Sequence, residues 1–157
     1  MGGIVSSFQF LSYKIDKIAF EVQNKTDVLL ANTFNKEWSI KLSLSRPIYI
    51  PAERMYIGGV GMLLFYGKEE NPEIKLEARI SGIFKVVGKD FSKEHEEKLV
   101  KYQIPAILSP YLRATVTNIL ASAGCGSVVL PLFNFNAFAE EQLKDVDILV
   151  LDENSSQ

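Results

Sequence analysis

The sequence predicts an α+β domain, because strand patterns occupy the first half of the chain and helical patterns the second. Residues 38–45 and 73–81 alternate between apolar and polar side chains, which is the two-residue period of a half-buried strand. From Ser92 onward the apolar residues recur at helical intervals. Strand patterns followed by helix patterns, rather than alternating with them, indicate an antiparallel sheet packed against helices.

Four strands account for the first half of the chain. They are predicted at Tyr13–Val22, Trp38–Ser45, Tyr56–Tyr66 and Glu73–Ser81. In the first strand the apolar phase changes between Ile15 and Ile18, which predicts a β-bulge. The third strand is apolar on both faces through Leu63 and Phe65, so we expect it to be central or to carry an interface. Turn residues between Gly67 and Pro72 predict a hairpin connection to the fourth strand.

The second half contains a long helical pattern. Ser92 is suited to cap a helix, and Pro105 or Pro110 is suited to the first turn of one. Gly124 is suited to end the helix. The predicted apolar stripe consists of Leu108, Leu112, Thr115, Ile119 and Ala123, flanked by Tyr111 and Val116.

A second helix is predicted after the long one. Asn134 or Asn136 serves as its N-cap, and the helix extends at most to Val146. We expect residues 1–157 to form a single domain, with a flexible tail at residues 147–157.

Composition excludes several classes of function. The chain has 157 residues, 47% of them apolar and 23% charged, with a formal net charge of -2. Because basic residues are not in excess, the sequence does not support binding of nucleic acid. Its apolar runs are too short to cross a membrane. The single cysteine, Cys125, permits no internal disulfide, which favours a cytoplasmic protein.

The residues that usually carry catalysis or metal binding are scarce. His95, the single histidine, lies in a run of charged residues typical of a solvated helix face. Cys125 sits between two glycines, and the glycines of 58–61 lack the lysine and hydroxyl residue of a phosphate-binding loop. We therefore predict no catalytic residues, no metal site and no cofactor, and a function in binding rather than catalysis.

An unusually apolar loop is the strongest local sign of a binding surface. Residues 24–36 connect the first two strands and, with the start of the second, contain Leu29, Leu30, Phe34 and Trp38. Exposed apolar groups of this kind mark interaction sites. Each of these side chains could instead cap the protein's own core.

Four blocks of sequence, in order, resemble the SecB family of protein-export chaperones. Two lie in strands: Ile-Ala-Phe-Glu at 18–21 and Gly-Ile-Phe at 82–84. Two lie in the helical half: Ile-Pro-Ala-Ile-Leu-Ser-Pro-Tyr-Leu-Arg at 104–113 and Leu-Pro-Leu-Phe-Asn-Phe-Asn-Ala-Phe at 130–138.

The resemblance implies a four-stranded antiparallel sheet with a long helix and a C-terminal helix on one face, assembled as a homotetramer that is a dimer of dimers. It implies an ATP-independent holdase whose apolar grooves bind unfolded precursor polypeptides for Sec-dependent export. The family's groove maps onto Val28–Trp38 and Phe135–Val146. The implied peptide-binding residues are Leu29, Leu30, Phe34, Trp38, Phe135 and Phe138.

The resemblance also implies a partner, the export motor SecA, whose basic zinc-holding tail contacts acidic residues on the exposed sheet face. Glu21 and Glu77 match those acidic positions, and Glu73 shares their phase. Lys17 stands where the family has an acidic residue, and Asp16 beside it is expected on the opposite face of a regular strand. We therefore expect SecA binding to be weak or absent.

Two other functions fit the same residues. One is a dedicated SecB-like chaperone or adaptor for one partner, such as an antitoxin, instead of a general chaperone. The other is a small protein whose groove holds a hydrophobic ligand.

Overall fold

The α+β architecture predicted from the sequence is present in the computed structural model, which describes residues 7–30, 37–88, 92–126, 128 and 130–151. The strands are β1 (Phe8–Val22), β2 (Trp38–Leu44), β3 (Ile48–Ile50), β4 (Met55–Tyr66), β5 (Ile74–Val86) and β6 (Leu149–Val150). The helices are α1 (Lys25–Leu30), α2 (Lys93–Ser122) and α3 (Phe135–Leu143), and a 3-10 turn covers Pro51–Glu53.

One mixed sheet contains all six strands. β1, β5 and β4 are antiparallel neighbours in that order, and both β2 and β3 pair with the remaining edge of β4. β6 then runs parallel to β3. The sheet has six strands rather than the predicted four, because β2 and β3 share one position beside β4 and the tail adds β6. Residues 149–150, expected to belong to a flexible tail, are therefore part of the sheet.

The bulge predicted in the first strand is present and changes which face Asp16 occupies. The register with β5 shifts between Ile15 and Lys17, so that Asp16 is the inserted residue. Its carboxylate accepts a hydrogen bond from the hydroxyl of Ser81. Ser81 alternates with buried Ile80, so it lies on the sheet face opposite the core. The expectation that Asp16 points away from that face is wrong, because an inserted residue breaks the alternation of a regular strand.

Helix α2 packs across one face of β4 and β5, where two glycines let it approach closely. Gly58 and Gly82 are register partners on these strands. A Cβ added at Gly58 would lie 2.6 Å from the Cγ2 of Ile104, and one added at Gly82 would lie 2.8 Å from the Cδ2 of Leu108. The buried side of α2 consists of Val100, Ile104, Pro105, Leu108, Leu112, Val116 and Leu120.

Pro105 and Pro110 both lie inside α2, so the prediction that one of them opens a helix is wrong. Proline at position 110 cannot donate a backbone hydrogen bond to the carbonyl of Ala106. The hydroxyl of Ser109 lies 3.5 Å from that carbonyl oxygen and donates to it instead. Pro105 is buried against the sheet, so its packing offsets part of the lost hydrogen bonding.

The predicted apolar stripe of α2 is shifted from the buried one. Leu108 and Leu112 are buried as predicted, while Thr115 and Ile119 are half-buried and Ala123 is exposed. The buried line continues at four-residue steps through Val116 and Leu120.

Side chains and glycine cap α2 as the sequence predicts. The Ser92 hydroxyl accepts a hydrogen bond from the backbone N–H of His95 at 3.2 Å. Gly124 has a φ of 84°, the left-handed conformation that glycine favours after a helix. The next residue, Cys125, donates its backbone N–H to the carbonyl of Leu120 at 2.9 Å, closing the helix end. Burial raises the pKa of the Cys125 thiol, which keeps the thiol protonated.

A polar network joins β4 to the first turn of α2. The hydroxyl of Tyr56 donates to Oε2 of Glu96 at 2.6 Å, and Nη2 of Arg54 donates to Oε1 at 3.1 Å. Tyr56 is buried, and burial together with the hydrogen bond to Glu96 raises its pKa far above the usual value. The hydroxyl is therefore protonated at neutral pH and donates to Glu96.

We expect Glu96→Ala to destabilise the protein by about 1–3 kcal/mol, because the buried hydroxyl of Tyr56 loses its acceptor. Urea denaturation measures the change. The matched control is Tyr56→Phe, which removes the hydroxyl together with its need for a partner and leaves Glu96 paired with Arg54. The control should cost less than Glu96→Ala. Equal costs would show that the unpaired hydroxyl is not the cause.

Candidate functional site

Helix α1 presents two leucines to solvent. Asn24 begins the helix, and its side-chain amide donates to the carboxylate of Asp27 at 2.7 Å. Val28 packs against the core, whereas Leu29 is 82% exposed and Leu30 is 75% exposed. Val28 thus anchors the helix to the core, while Leu29 and Leu30 face solvent. Both leucines are among the peptide-binding residues that the sequence analysis predicted.

The other predicted aromatic residues lie on packed elements. Trp38 begins β2, is half-buried, and its ring centroid lies 5.0 Å from that of Tyr66 on β4. Phe135 and Phe138 are half-buried on α3, which contacts both α2 and β2. Trp38 packs against the core, and Phe135 and Phe138 lie on a helix that contacts the same strand, so the three residues lie on neighbouring elements. Phe34, the remaining predicted residue, lies outside the described residues.

The connection between α2 and α3 is fixed by an arginine that the sequence analysis did not single out. Arg113 donates to the carbonyl oxygens of Leu130 and Pro131 at 2.9 and 2.5 Å. Leu130 is buried, while Leu132, two residues later, is 91% exposed. Arg113 thus positions a projecting leucine just before α3. The sequence signal for this contact was an arginine in the long helix that precedes a proline-containing loop.

Strand β1 carries a second apolar surface at the edge of the sheet. Tyr13, Ile15 and Ile18 pair with Gly82, Ile80 and Ala78, three residues buried under α2. They therefore occupy the helix-covered face, but beyond the area that α2 covers, and all three are exposed. The ring of Tyr111 on α2 lies 4.6 Å from that of Tyr13. We call these three residues and Tyr111 the β1 strip.

The exposed apolar surface of the sheet is the β1 strip, not Leu63 and Phe65. The sequence analysis left open that these two residues form an interface on the second face of the third strand. Phe65 is buried within the chain, with Nζ of Lys75 5.9 Å from its ring centroid, and Leu63 is half-buried. The signal missed in the sequence was the run of apolar residues in β1 on both sides of the bulge.

The open sheet face carries the predicted acidic residues, and Glu77 among them is paired with Lys17. Nζ of Lys17 lies 2.9 Å from Oε2 of Glu77, and Nε of Arg79 lies 3.6 Å from its Oε1. The hydrogen bond from Lys17 holds the pKa of Glu77 below its usual value. Glu21 is exposed and Glu73 is half-buried at the start of β5. Lys17 therefore reduces the negative potential of this face by direct contact.

No metal-binding or membrane-spanning feature occurs in the part of the chain that is described. None of its His, Cys, Asp and Glu side chains gather in groups of three or more that could hold a metal ion. Its helices are too short or too polar to cross a bilayer. His95 is exposed at the start of α2 and Cys125 is buried at its end, so these two residues lie at opposite ends of a 30-residue helix.

The sequence that forms these elements matches a known family. A profile described as "Preprotein translocase subunit SecB" matches residues 6–146. This chain belongs to the SecB family. The match spans every element from β1 to α3. The resemblance in the four sequence blocks is thereby confirmed.

Two relatives of this SecB-family chain show how far it has diverged. The "Protein-export protein SecB" of Methylibium petroleiphilum is 26% identical over 135 residues, which cover 86% of this chain and 80% of that protein. A SecB-like chaperone of Mycobacterium tuberculosis, solved in complex with a ChAD peptide from the HigA1 antitoxin, superposes with a TM-score of 0.62 at 9% identity. That match covers 81% of this chain and 91% of the other. The second likeness confirms the SecB-like fold.

Proposed function

We propose that this protein is an ATP-independent chaperone that holds unfolded polypeptides through exposed apolar side chains. The observation that carries the proposal is the exposed pair Leu29 and Leu30 on α1, in a member of the SecB family. Two adjacent leucines exposed by more than two thirds cost hydration free energy unless a partner covers them. Unfolded chains supply apolar side chains in any sequence order, which suits a surface without directional polar groups. The protein is not an enzyme and needs no nucleotide or other cofactor.

The client surface that we propose runs from α1 to α3. The exposed Leu29 and Leu30 supply one side, and the half-buried Trp38, Phe135 and Phe138 form its floor. Phe34 belongs to the same surface in this proposal. The half-burial of the three floor residues supports this division, because a side chain that faces both core and solvent can contact a client without leaving its own packing. In this proposal client affinity is the sum of many weak apolar contacts.

We propose that the β1 strip is an interface between copies of the chain and that the protein is a homotetramer working in the cytoplasm. An edge strand with exposed apolar side chains invites pairing with another strand unless it is covered. Pairing of two β1 edges about a two-fold axis would form a dimer, and two dimers would form the tetramer expected for this family. Light scattering tests the assembly, and a monomer of 17.6 kDa at all concentrations would contradict it.

A dedicated partner is the second candidate function. The likeness to a chaperone solved with an antitoxin peptide favours it, since a chain of the same fold binds a peptide from an antitoxin there. Capture of bound chains from the native cytoplasm, followed by their identification, separates the two candidates. Many unrelated precursor proteins would support a general chaperone. One dominant partner would support a dedicated one, and a co-purified small hydrophobic molecule would contradict both.

We expect weak or absent binding to the basic SecA tail, because Lys17 pairs with Glu77 on the open sheet face. Titration calorimetry with the tail peptide measures the affinity. Lys17→Asp is the control: it removes one of the two cations beside Glu77, adds a negative charge and should tighten binding at low salt. The carboxylate of Asp16 lies on the same face beside Lys17 and partly restores the acidic field. Tight, salt-sensitive binding by the unmodified protein would contradict the role given to Lys17.

A further inference from the structure

The C-terminal segment fills the outer edge of β3. The backbone N–H of Leu149 donates to the carbonyl of Pro47 at 2.9 Å, and that of Leu151 donates to the carbonyl of Tyr49 at 2.8 Å. Arg46 adds a bond from its guanidinium to the carbonyl of Asp147. The segment thus occupies the site as an added parallel strand, and its backbone is bound in the way an extended peptide would be.

Two alternate residues of this segment border a cavity at the sheet edge. Ile148 and Val150 line a cavity of ≈ 400 Å³ together with Tyr49 and Tyr56. Tyr49 and Tyr56 stack with their ring centroids 4.5 Å apart and form its apolar wall. The same cavity is bordered on the helix side by Lys93, Glu96 and Glu97 of α2. The site therefore accepts aliphatic side chains spaced two residues apart, with polar groups around its rim.

Few contacts retain the segment. β6 contains two residues, and Leu149, Val150 and Leu151 remain 42%, 52% and 41% exposed. Ile148 is the residue of the segment that packs against the core. A strand so short, with nearly half of its residue surface in water, has few contacts that oppose its release. Its occupancy of the β3 edge is therefore open to competition.

We propose that β6 is a displaceable internal occupant of the β3 edge, and that an extended client segment with aliphatic side chains two residues apart takes its place. This inference rests on the proposed chaperone function. The chain's own Ile-Leu-Val-Leu run at 148–151 shows the chemistry that the site accepts. In this arrangement the C-terminal strand lowers the apparent affinity of the edge site by the fraction of time it is bound.

Site-specific disulfide trapping tests the proposal. The protein carries Ile48→Cys with Cys125→Ser, and the probe is a synthetic peptide of residues 145–151 with Leu149→Cys. Position 48 of β3 is the register partner of position 149, so a probe bound as β6 is bound places the two thiols side by side. Leu149→Pro in the protein removes the backbone donor to Pro47 and weakens β6 without shortening the chain.

We expect Leu149→Pro to raise the initial rate of adduct formation at least about tenfold, because the edge site is then more often vacant. A probe that also carries Ile148→Asp and Val150→Asp should not couple above the background rate. Equal rates with and without Leu149→Pro, or equal rates for the two probes, would overturn the proposal. Melting curves of the protein variants show whether each is folded before its rate is compared.

Two further measurements distinguish a failure of this inference from a failure of the proposed chaperone function. The chain with Ile48→Cys, Leu149→Cys and Cys125→Ser should close a disulfide within one copy, and a link between two copies would overturn the proposal by making a second copy the occupant. Suppression of client aggregation by the unmodified chain reports the chaperone function separately. Suppression without probe coupling would overturn the edge site alone. Coupling without suppression would leave an edge site that takes extended segments and would remove the chaperone function.

Discussion

Leu108→Ala is expected to destabilise the protein by about 2–5 kcal/mol, the usual cost of removing a fully buried leucine. Leu108 lies at the centre of the α2–sheet contact and has no exposed surface. Its Cδ2 would be 2.8 Å from a Cβ at Gly82, so the two residues compete for the same space. Chemical denaturation measures the loss, with an unchanged slope showing that the two-state transition is retained.

The same contact makes a second substitution partly compensating. Gly82→Ala alone should destabilise by about 1–3 kcal/mol, because the added methyl group overpacks the space against Leu108 and Phe84. Combined with Leu108→Ala, that methyl group enters the cavity left by the leucine. The double variant should therefore be more stable than the sum of the single effects predicts. Additive effects would show that α2 does not depend on the glycine for its close approach.

Leu29→Ser combined with Leu30→Ser is expected to lower the affinity for unfolded clients at least about tenfold, the loss of a hot-spot pair. Both side chains are exposed, so the melting temperature should change little. Anisotropy of a labelled unfolded client measures the affinity. Val87→Ser, just after β5, removes an exposed apolar side chain outside the proposed surface and should leave the affinity unchanged.

The aromatic residues of the surface divide into two groups in the same assay. Phe34→Ala should lose client affinity and keep its melting temperature. Trp38→Ala should lose both, because Trp38 is half-buried and packs on Tyr66. If the Leu29 and Leu30 variant binds clients as tightly as the unmodified protein, α1 is not part of the binding surface.

Patterns of period two made the sheet predictable. Alternation in Trp38–Leu44 and Ile74–Ser81 places the apolar residues on one face, and both segments are strands with that face toward the core. The phase change near Ile15 predicted the bulge correctly because an extra residue is visible in the alternation itself. The caps of α2 were equally readable, since Ser92 and Gly124 act through local chemistry.

What could not be predicted depends on distant contacts. Pro105 and Pro110 lie inside α2 because burial against the sheet and the hydroxyl of Ser109 compensate for missing backbone donors. β6 depends on a partner strand about a hundred residues away, and its two-residue length leaves no periodic signal. The pairing of Lys17 with Glu77 depends on the register of β1 with β5.

Among the predicted binding residues, Leu29 and Leu30 are exposed, whereas Trp38, Phe135 and Phe138 are half-buried, and the sequence did not distinguish these two groups. Leu29 and Leu30 stand out because they lie in a connection between strands, where apolar residues have few internal partners. Trp38 belongs equally to that connection and to the alternating face of β2, and its packing on Tyr66 is a tertiary contact. The β1 strip was missed because its exposure depends on how far α2 extends across the sheet.

The aggregation of a slowly folding substrate, followed by light scattering without ATP, tests the chaperone proposal most directly. The unmodified protein should suppress scattering at about one oligomer per client, and the variant with Leu29→Ser and Leu30→Ser should need a much higher concentration. ATP should make no difference to either. Full aggregation in the presence of a large excess of folded, unmodified protein would contradict the proposal that this SecB-family chain holds unfolded polypeptides.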